Sequence, residues 1–519
     1  MTNSTVSLKK LLKGSITKEL SKALGLKQIK VNGIKIDSRS VVDGQLFIAY
    51  PGQSVDGRQF IQSAIENGAT AIVAEEKDLA KFCKDFTNLL DDNQQVIAYQ
   101  YSAIKIVPVP NLAQKVSRIA GKFYGSPSKK MSLVGVTGTN GKTSVCYLVA
   151  QALEMMQKPT LLLSTLGNGS IGDLQTSANT TADPITIQQK AAEFLQQNYH
   201  HLCMEVSSHG LDQHRVSGLK YSVAVFTNLS HDHLEYHGDM ESYFQAKRQL
   251  FLRKEIKFVV INAEDLYGQR LLDDPEIKAQ KIAYTRDTSL VSEQTEHWVV
   301  SNNAQFTLNG ISADLTTPWG TGRIRSHLLG DFNLSNLLAV AGILGALQGD
   351  LHKWLVALNA AKPVMGRMQQ FSKDGLATLV VDYAHTPDAL EKALKTLRHH
   401  TNGELWCLFG CGGDRDPSKR GLMGKVAETN AEKIIITDDN PRTEVASEIV
   451  SMIRQGMNDQ TIPYIASRKE AIGYAMDLAA VQDMILVAGK GHEDYQEIGT
   501  EKLHYSDLET VQSLLEARS

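Results

Sequence analysis

The residues best suited to chemistry lie in one stretch, S-L-V-G-V-T-G-T-N-G-K-T, at positions 132–143. Leu133, Val134 and Val136 read as a short buried strand. Gly138, Thr139, Asn140 and Gly141 form a tight turn, and Lys142 and Thr143 open a helix through Val145 and Leu153. A strand feeding a glycine turn and a helix N-terminus aims several backbone N–H groups at one point, which suits a phosphate. Lys142 then reaches the outer phosphates and the Thr143 hydroxyl a magnesium ion. The strict eight-residue loop has a glycine where this chain has Val136. Lys-Thr directly after the second glycine, at a strand-to-helix junction, still points to ATP or GTP.

Further candidates follow other apolar runs. Glu205 ends L-C-M-E, at the carboxyl end of a predicted central strand, where open α/β sheets put their ligands; beside a phosphate loop its task is magnesium. T-N-L-S-H-D-H-L-E-Y-H-G offers His231, Asp232, His233 and His237. Histidines two and four apart in a turn need not converge, and no H-E-x-x-H helix supports zinc. Four polar loops follow predicted strands in the last third: D-Y-A-H-T-P from Asp382, G-C-G-G-D-R-D from Gly410, T-D-D-N-P-R-T-E from Thr437 and A-G-K-G-H-E from Ala488. Gly412, Gly413, Gly489 and Gly491 permit close backbone approach, and Arg415 and Arg442 can each grip a carboxylate bidentately. Four such loops describe a pocket for an anionic ligand of amino-acid type.

The elements that position these residues follow from length and rhythm. A chain of 519 residues is long for one core. Strands are predicted at 34–37, 45–49 and 71–74, helices at 60–67 and 111–123, a loop at 91–95, and a linker in G-S-P-S-K-K. Strands at 160–163, 202–206, 222–226 and 258–261, with helices between, predict a mostly parallel central sheet of P-loop type with helices on both faces. Residues 298–325 read as a small antiparallel addition. Strands at 378–382, 405–409, 433–437 and 484–488 predict a second doubly wound, Rossmann-like domain. The expectation is an α/β protein of three domains, 1–126, 127–362 and 363–519.

A net charge of −3 gives no footprint for nucleic acid. Five scattered cysteines fit a reducing compartment, with Cys407 and Cys411 read as buried thiols. The first residues lack a signal peptide's apolar segment, and no run approaches membrane-spanning length. A cytoplasmic enzyme acting on small molecules as a monomer is expected, with no nucleic acid and no membrane insertion.

With D-S-R at Asp37, G-T-N-G-K-T at Gly138, N-T-T at Asn179, M-E-V-S-S-H-G-L-x-Q-H-R at Met204, T-N-L-S-x-D-H-L-x-Y-H-G at Thr227, H-L-L-G-D-F-N-L-S-N at His327, G-R-M at Gly366 and the four loops, the chain resembles the Mur ligase family over nearly its whole length. The pattern is most similar to members that add 2,6-diaminopimelate to UDP-N-acetylmuramoyl-L-alanyl-D-glutamate in peptidoglycan precursor synthesis. That resemblance implies an N-terminal domain holding the UDP end through Ser38, Gln53, Ser54 and Val55, with Thr180, Thr181, Ser207, Gln213 and Arg215 on the muramoyl peptide. It implies ATP on Lys142 and Thr143, with Asn333 and Asn336 near the adenine and Arg367 and Asp382 closing from the C-terminal side. Glu205, His233 and Lys247, the last as its N6-carboxylysine carbamate, organise Mg2+. Arg415, Asp439, Asn440, Pro441, Arg442, Gly489 and Glu493 bind diaminopimelate. The implied chemistry activates the D-glutamyl carboxylate as an acyl phosphate, which the amine of diaminopimelate attacks. Alternatives are a lysine-adding ligase of the same family, a P-loop kinase or NTPase, and a non-catalytic binding protein.

Overall fold

The computed structural model describes residues 5–53, 55–177, 179–291, 295–307 and 309–518. The chain packs as two compact units, Met1–Ile282 and Ala283–Ser519.

The first unit holds two large sheets and a two-stranded pair, Val6–Ser7 with Lys30–Val31. Its N-terminal sheet runs in the order Gly33–Lys35, Gln45–Ala49, Ala71–Glu75, Ile104–Val109, Val96–Tyr101, Thr87–Leu90. The first four strands are parallel, and the last three form an antiparallel meander. The meander lies outside the predicted strand–helix rhythm. The predicted loop at 91–95 is its turn, built on Asp91, whose carboxylate accepts from the backbone of Asn93 and Gln95. The expected linker is a folded corner: Ser126 is left-handed, Pro127–Lys129 makes a 3-10 turn, and Pro127 and Ser128 are buried.

In the second sheet the parallel strands stand in the order Thr160–Ser164, His201–Glu205, Ser132–Thr137, Val223–Phe226, Phe258–Asn262. The strand that comes first in sequence lies in the middle. From it the chain crosses to Thr160–Ser164, returns to His201–Glu205 in between, and then builds outward on the other side, so residues 138–141 leave the sheet where its order reverses. Open α/β sheets bind ligands at that crevice. Buried on both faces, these strands are continuous apolar runs. A glycine-rich hairpin, Gly167–Ser170 and Asp173–Gln175, adds an antiparallel edge that the sequence reading did not anticipate.

The second unit opens with the expected antiparallel meander, His297–Thr307, Gly310–Thr317 and Gly320–Ser326, followed by the buried helix Asp331–Gln348. Its other sheet runs Gln369–Phe371, Thr378–Asp382, Met484–Ala488, Leu405–Phe409, Lys433–Ile436, all parallel except the first. The four polar loops leave the carboxyl ends of those four parallel strands. A short hairpin, Tyr495–Ile498 and Glu501–His504, follows the last of them. Cys407 and Cys411 are buried free thiols, as read from sequence. Among the described residues no helix is long and apolar enough to cross a membrane.

Candidate active site

The glycine turn is held by the strand end beside it. Gly138 has φ +149°, and a Cβ there would lie 1.9 Å from Thr227 Oγ1; Gly141 has φ +84°. Thr139 N donates to Asn228 O (2.8 Å), Asn140 N to Asn228 Oδ1 (2.9 Å), and Thr227 Oγ1 to Asn140 O (2.6 Å). Thr227 and Asn228 stand in the T-N-L-S motif, yet the sequence reading gave them no task. The helix Lys142–Met155 starts at once, so its first-turn N–H groups open into the crevice. Lys142 Nζ folds back onto the carbonyls of Gly138 (3.0 Å) and Thr139 (2.7 Å). Burial lowers its pKa, and the Glu205 carboxylate opposes that shift.

Glu205 is 1% exposed at the end of the neighbouring strand. Thr143 Oγ1 donates to its Oε1 at 2.9 Å and Thr165 N at 2.8 Å, with Thr165 Oγ1 3.4 Å from Oε2. Burial raises its pKa, against the pull of Lys142 and these donors. Lys247, from the helix Met240–Arg248, is also 1% exposed and donates to Gly138 O at 2.9 Å. Two lysine nitrogens therefore share one carbonyl. Burial, then Lys142, holds the Lys247 amine well below its usual pKa. His233 is left-handed, with Nε2 3.5 Å from Asp232 Oδ2 and its ring edge-on to His209 at 4.9 Å. His237 stacks on Tyr243. No group of three or more His, Cys, Asp or Glu among the described residues is arranged to hold a metal. The hydroxyl of Thr143 and the carboxylate of Glu205, hard oxygen donors in contact, do fit magnesium.

The residues expected on the muramoyl peptide form one network. Arg215 donates through Nη1 to Thr181 O (2.7 Å) and through Nε and Nη2 to Gln213 Oε1 (3.0 and 2.6 Å). Gln213 Nε2 reaches Gln53 Oε1 at 3.3 Å. Thr181 Oγ1 donates to Glu205 O and accepts from Ser207 N. Thr180 meets Thr165 through hydroxyls at 3.2 Å. Ser207 caps the helix Ser208–Asp212. Ser38 and Val55 line one cleft of about 620 Å³, with Asp37, Arg39, Tyr50 and Phe60. Ser54 lies outside the described residues.

In the second unit, Asn333 Nδ2 donates to Leu329 O and Asn336 Nδ2 to Asn333 Oδ1, both side chains buried. Asp382 accepts from Met368 N (2.7 Å) and Ala384 N (2.9 Å), and Arg367 lies over the Tyr383 ring at 4.8 Å. The loop at 439–442 is tightly bound. Gly413 N donates to Asn440 O, and Asn440 Nδ2 to Glu493 Oε2 at 3.1 Å. Gly489 has φ +118°, and a Cβ there would meet Asp439 at 3.2 Å. Lys490, fully buried, donates to Asn440 Oδ1 (3.1 Å) and lies 3.6 Å from Asp439 Oδ1. Its place in A-G-K-G-H-E was visible, its role was not. Arg415 is exposed. Arg442 is not an unpaired cation: its Nε donates to Glu497 Oε2 at 2.9 Å.

Comparison with known proteins gives concordant matches. Residues 30–124 match the Mur ligase family catalytic domain, 136–344 the Mur ligase middle domain and 366–491 the Mur ligase glutamate ligase domain. The UDP-N-acetylmuramoyl-L-alanyl-D-glutamate–2,6-diaminopimelate ligase of Pseudomonas putida is 44% identical over 492 residues, covering 94% of this chain and 95% of that protein. The protein of that name from Coxiella burnetii is 40% identical over 488 residues, 94% and 96% of the two chains. A solved structure of a ligase of the same name superposes with TM-score 0.73 at 31% identity, covering 99% of each chain. MurF from Acinetobacter baumannii, at 16% identity and TM-score 0.59 over 99% and 100% of the chains, shares the fold.

Proposed function

The chain belongs to the Mur ligase family, and we propose that it is an ATP-dependent amide ligase joining 2,6-diaminopimelate to the D-glutamyl carboxylate of UDP-N-acetylmuramoyl-L-alanyl-D-glutamate. The observation that carries this reading is Lys142 and Thr143 at the reversal point of the sheet, with Thr143 on Glu205, in a chain so similar to relatives of that name.

In this reading Lys142 leaves the Gly138 and Thr139 carbonyls for the γ-phosphoryl of ATP, and the first-turn N–H groups hold the phosphates. A carboxylate oxygen of the D-glutamyl side chain bonds to the γ-phosphorus as the bond to ADP breaks. The neutral amine of diaminopimelate then bonds to the acyl carbon, phosphate departs, and the amine gives up a proton. Lys142 stabilises the charge that grows on the transferring group. Thr143, Glu205, His233 and a carbamate on Lys247 would hold magnesium, whose chemistry is to neutralise phosphate charge. Carbamylation requires a neutral amine, and the burial of Lys247 favours that form.

The reading assigns 1–126 to the UDP-substrate, 127–362 to ATP and 363–519 to the amino acid, in a cytoplasmic monomer. Asn333, Asn336, Arg367 and Asp382 serve the nucleotide, and Asp439 to Arg442 with Gly489, Glu493 and Arg415 the amino acid. The test incubates the protein with ATP, magnesium and the UDP-muramoyl dipeptide, varies the amino acid, and identifies the product by mass. A diaminopimelate-containing tripeptide with matching ADP release is expected. ADP release that ignores the amino acid would favour a kinase or NTPase, and efficient lysine addition a lysine-adding ligase.

A further inference from the structure

We propose that Glu497 is a positioning residue for the amino-acid site, and that the hairpin carrying it is the template on which the 439–442 loop is shaped. This rests on reading that loop as the diaminopimelate site. The loop needs such support. Arg442 sits at φ +49°, a left-handed conformation that non-glycine residues seldom adopt, directly after Pro441. Proline fixes its own φ but supplies no N–H to hold the turn.

The hairpin Tyr495–Ile498 and Glu501–His504 turns at Gly499, φ +60°, and meets the loop residue by residue. Gln496 Nε2 donates to Asp439 O at 2.7 Å. Glu497 N donates to Asn440 Oδ1 at 3.0 Å. Arg442 N donates to Glu497 O at 3.0 Å, and Gly499 N to Arg442 O at 2.8 Å, so both backbone groups of the left-handed residue are held. The side chains repeat the pairing. Arg442 Nε donates to Glu497 Oε2 at 2.9 Å, while Nη1 donates to Gly413 O at 2.8 Å.

Two of the three guanidinium nitrogens are thereby committed, and the bonds among the described residues leave Nη2 for a ligand. A guanidinium held at two of its nitrogens loses little freedom when the third meets a carboxylate oxygen. Glu497 also pairs Arg442 before substrate arrives, so the cation is not stranded in an empty pocket. The geometry makes Glu497 the residue that selects the Arg442 rotamer, acting through the arginine.

The test is steady-state kinetics on the full chain with ATP and the UDP-muramoyl dipeptide, comparing Glu497→Ala, Glu497→Asp and Glu497→Gln. Aspartate keeps the charge but withdraws it by one methylene; glutamine keeps an acceptor at the same reach. Glu497→Ala and Glu497→Asp should raise KM for diaminopimelate about tenfold or more, the size expected for losing one charge-assisted hydrogen bond. Glu497→Gln should recover most of that loss, and KM for ATP should stay within about twofold of the parent. Equal increases in KM for ATP and diaminopimelate, or an unchanged KM for diaminopimelate in both Glu497→Ala and Glu497→Asp, would overturn the assignment while leaving the proposed function standing. No diaminopimelate-dependent ADP release by the unmodified protein would overturn both.

Discussion

The Thr143 hydroxyl donates to Oε1 of Glu205 at 2.9 Å, tying the first turn of the nucleotide-loop helix to the end of the adjacent parallel strand. Glu205→Gln keeps the shape of this contact and removes the charge. The expected result is a rise of about tenfold or more in the magnesium needed for half-maximal ADP release, with little change in melting temperature. An unchanged magnesium titration would assign Glu205 to structure alone.

Lys142 Nζ donates to the carbonyls of Gly138 and Thr139, at the start of the helix Lys142–Met155. If it stabilises charge in phosphoryl transfer, Lys142→Ala should cut turnover about a hundredfold or more. Near-native turnover in a folded variant would remove the nucleotide-loop assignment.

Lys247 presents a different problem, a buried amine 2.9 Å from the carbonyl that Lys142 also uses. Burial lowers the pKa of this amine; a neutral amine can add carbon dioxide, and the resulting carboxylate sits on a long stem. Protein equilibrated with 13C-bicarbonate should show a carbamate resonance that Lys247→Ala lacks. Short carboxylates such as acetate should restore part of the activity lost in Lys247→Ala. A Lys247→Ala enzyme fully active at limiting magnesium would leave the residue a packing lysine.

These residues differ in how far the sequence disclosed them. The parallel strands were legible because burial on both faces demands unbroken apolar runs, as in Leu202-Cys203-Met204 and Val223-Ala224-Val225-Phe226. Loops at their carboxyl ends followed from topology. The hairpin at 167–175 was not legible: its glycines, Gly167 at φ +141° and Gly169 at φ +158°, pack against backbone and leave no alternating pattern. Glu497 and Lys490 were hidden for another reason. A charged residue reads as solvated unless its partner is known, and theirs lie at Arg442 and Asn440, 55 and 50 positions away. The role proposed for Lys247 came only through the resemblance, since nothing local in the sequence distinguishes it from a helix-surface lysine.

His400 supplies a pH prediction. It is 4% exposed, its Nε2 accepts from Gly330 N at 2.8 Å, and Nδ1 lies 2.7 Å from Thr307 O. The first bond requires neutral imidazole. Burial lowers its pKa from the ordinary 6.5; the Thr307 carbonyl and Asp331 oppose this, and His399 reinforces it. The unfolded chain therefore binds the proton first as pH falls. Stability from this group is complete above 6.5 and is lost on acidification through 6.5 toward the depressed folded value. Thermal melts between about pH 8 and about pH 5 should show this loss, and His400→Gln should flatten the slope. Equal slopes in both proteins would exclude His400 as its source.

The role proposed for Arg442 is to discriminate diaminopimelate from lysine, which lacks the second carboxylate. Had the guanidinium been unpaired, lysine would be rejected because it strands a desolvated cation. Because Glu497 already pairs Arg442, rejection of lysine in the proposed site would rest on the contact that Nη2 fails to make. Lysine should still be a poor substrate. Arg442→Ala should weaken diaminopimelate use by roughly 2–5 kcal/mol, leaving ATP affinity nearly unchanged. Part of that loss comes from stranding Glu497 without its cation. The two residues should therefore be non-additive, with Arg442→Ala/Glu497→Ala costing about as much as Arg442→Ala alone. Comparable kcat/KM for lysine and diaminopimelate in the unmodified protein would defeat the role of Arg442. A double variant whose loss equals the sum of the two single losses would defeat its coupling to Glu497.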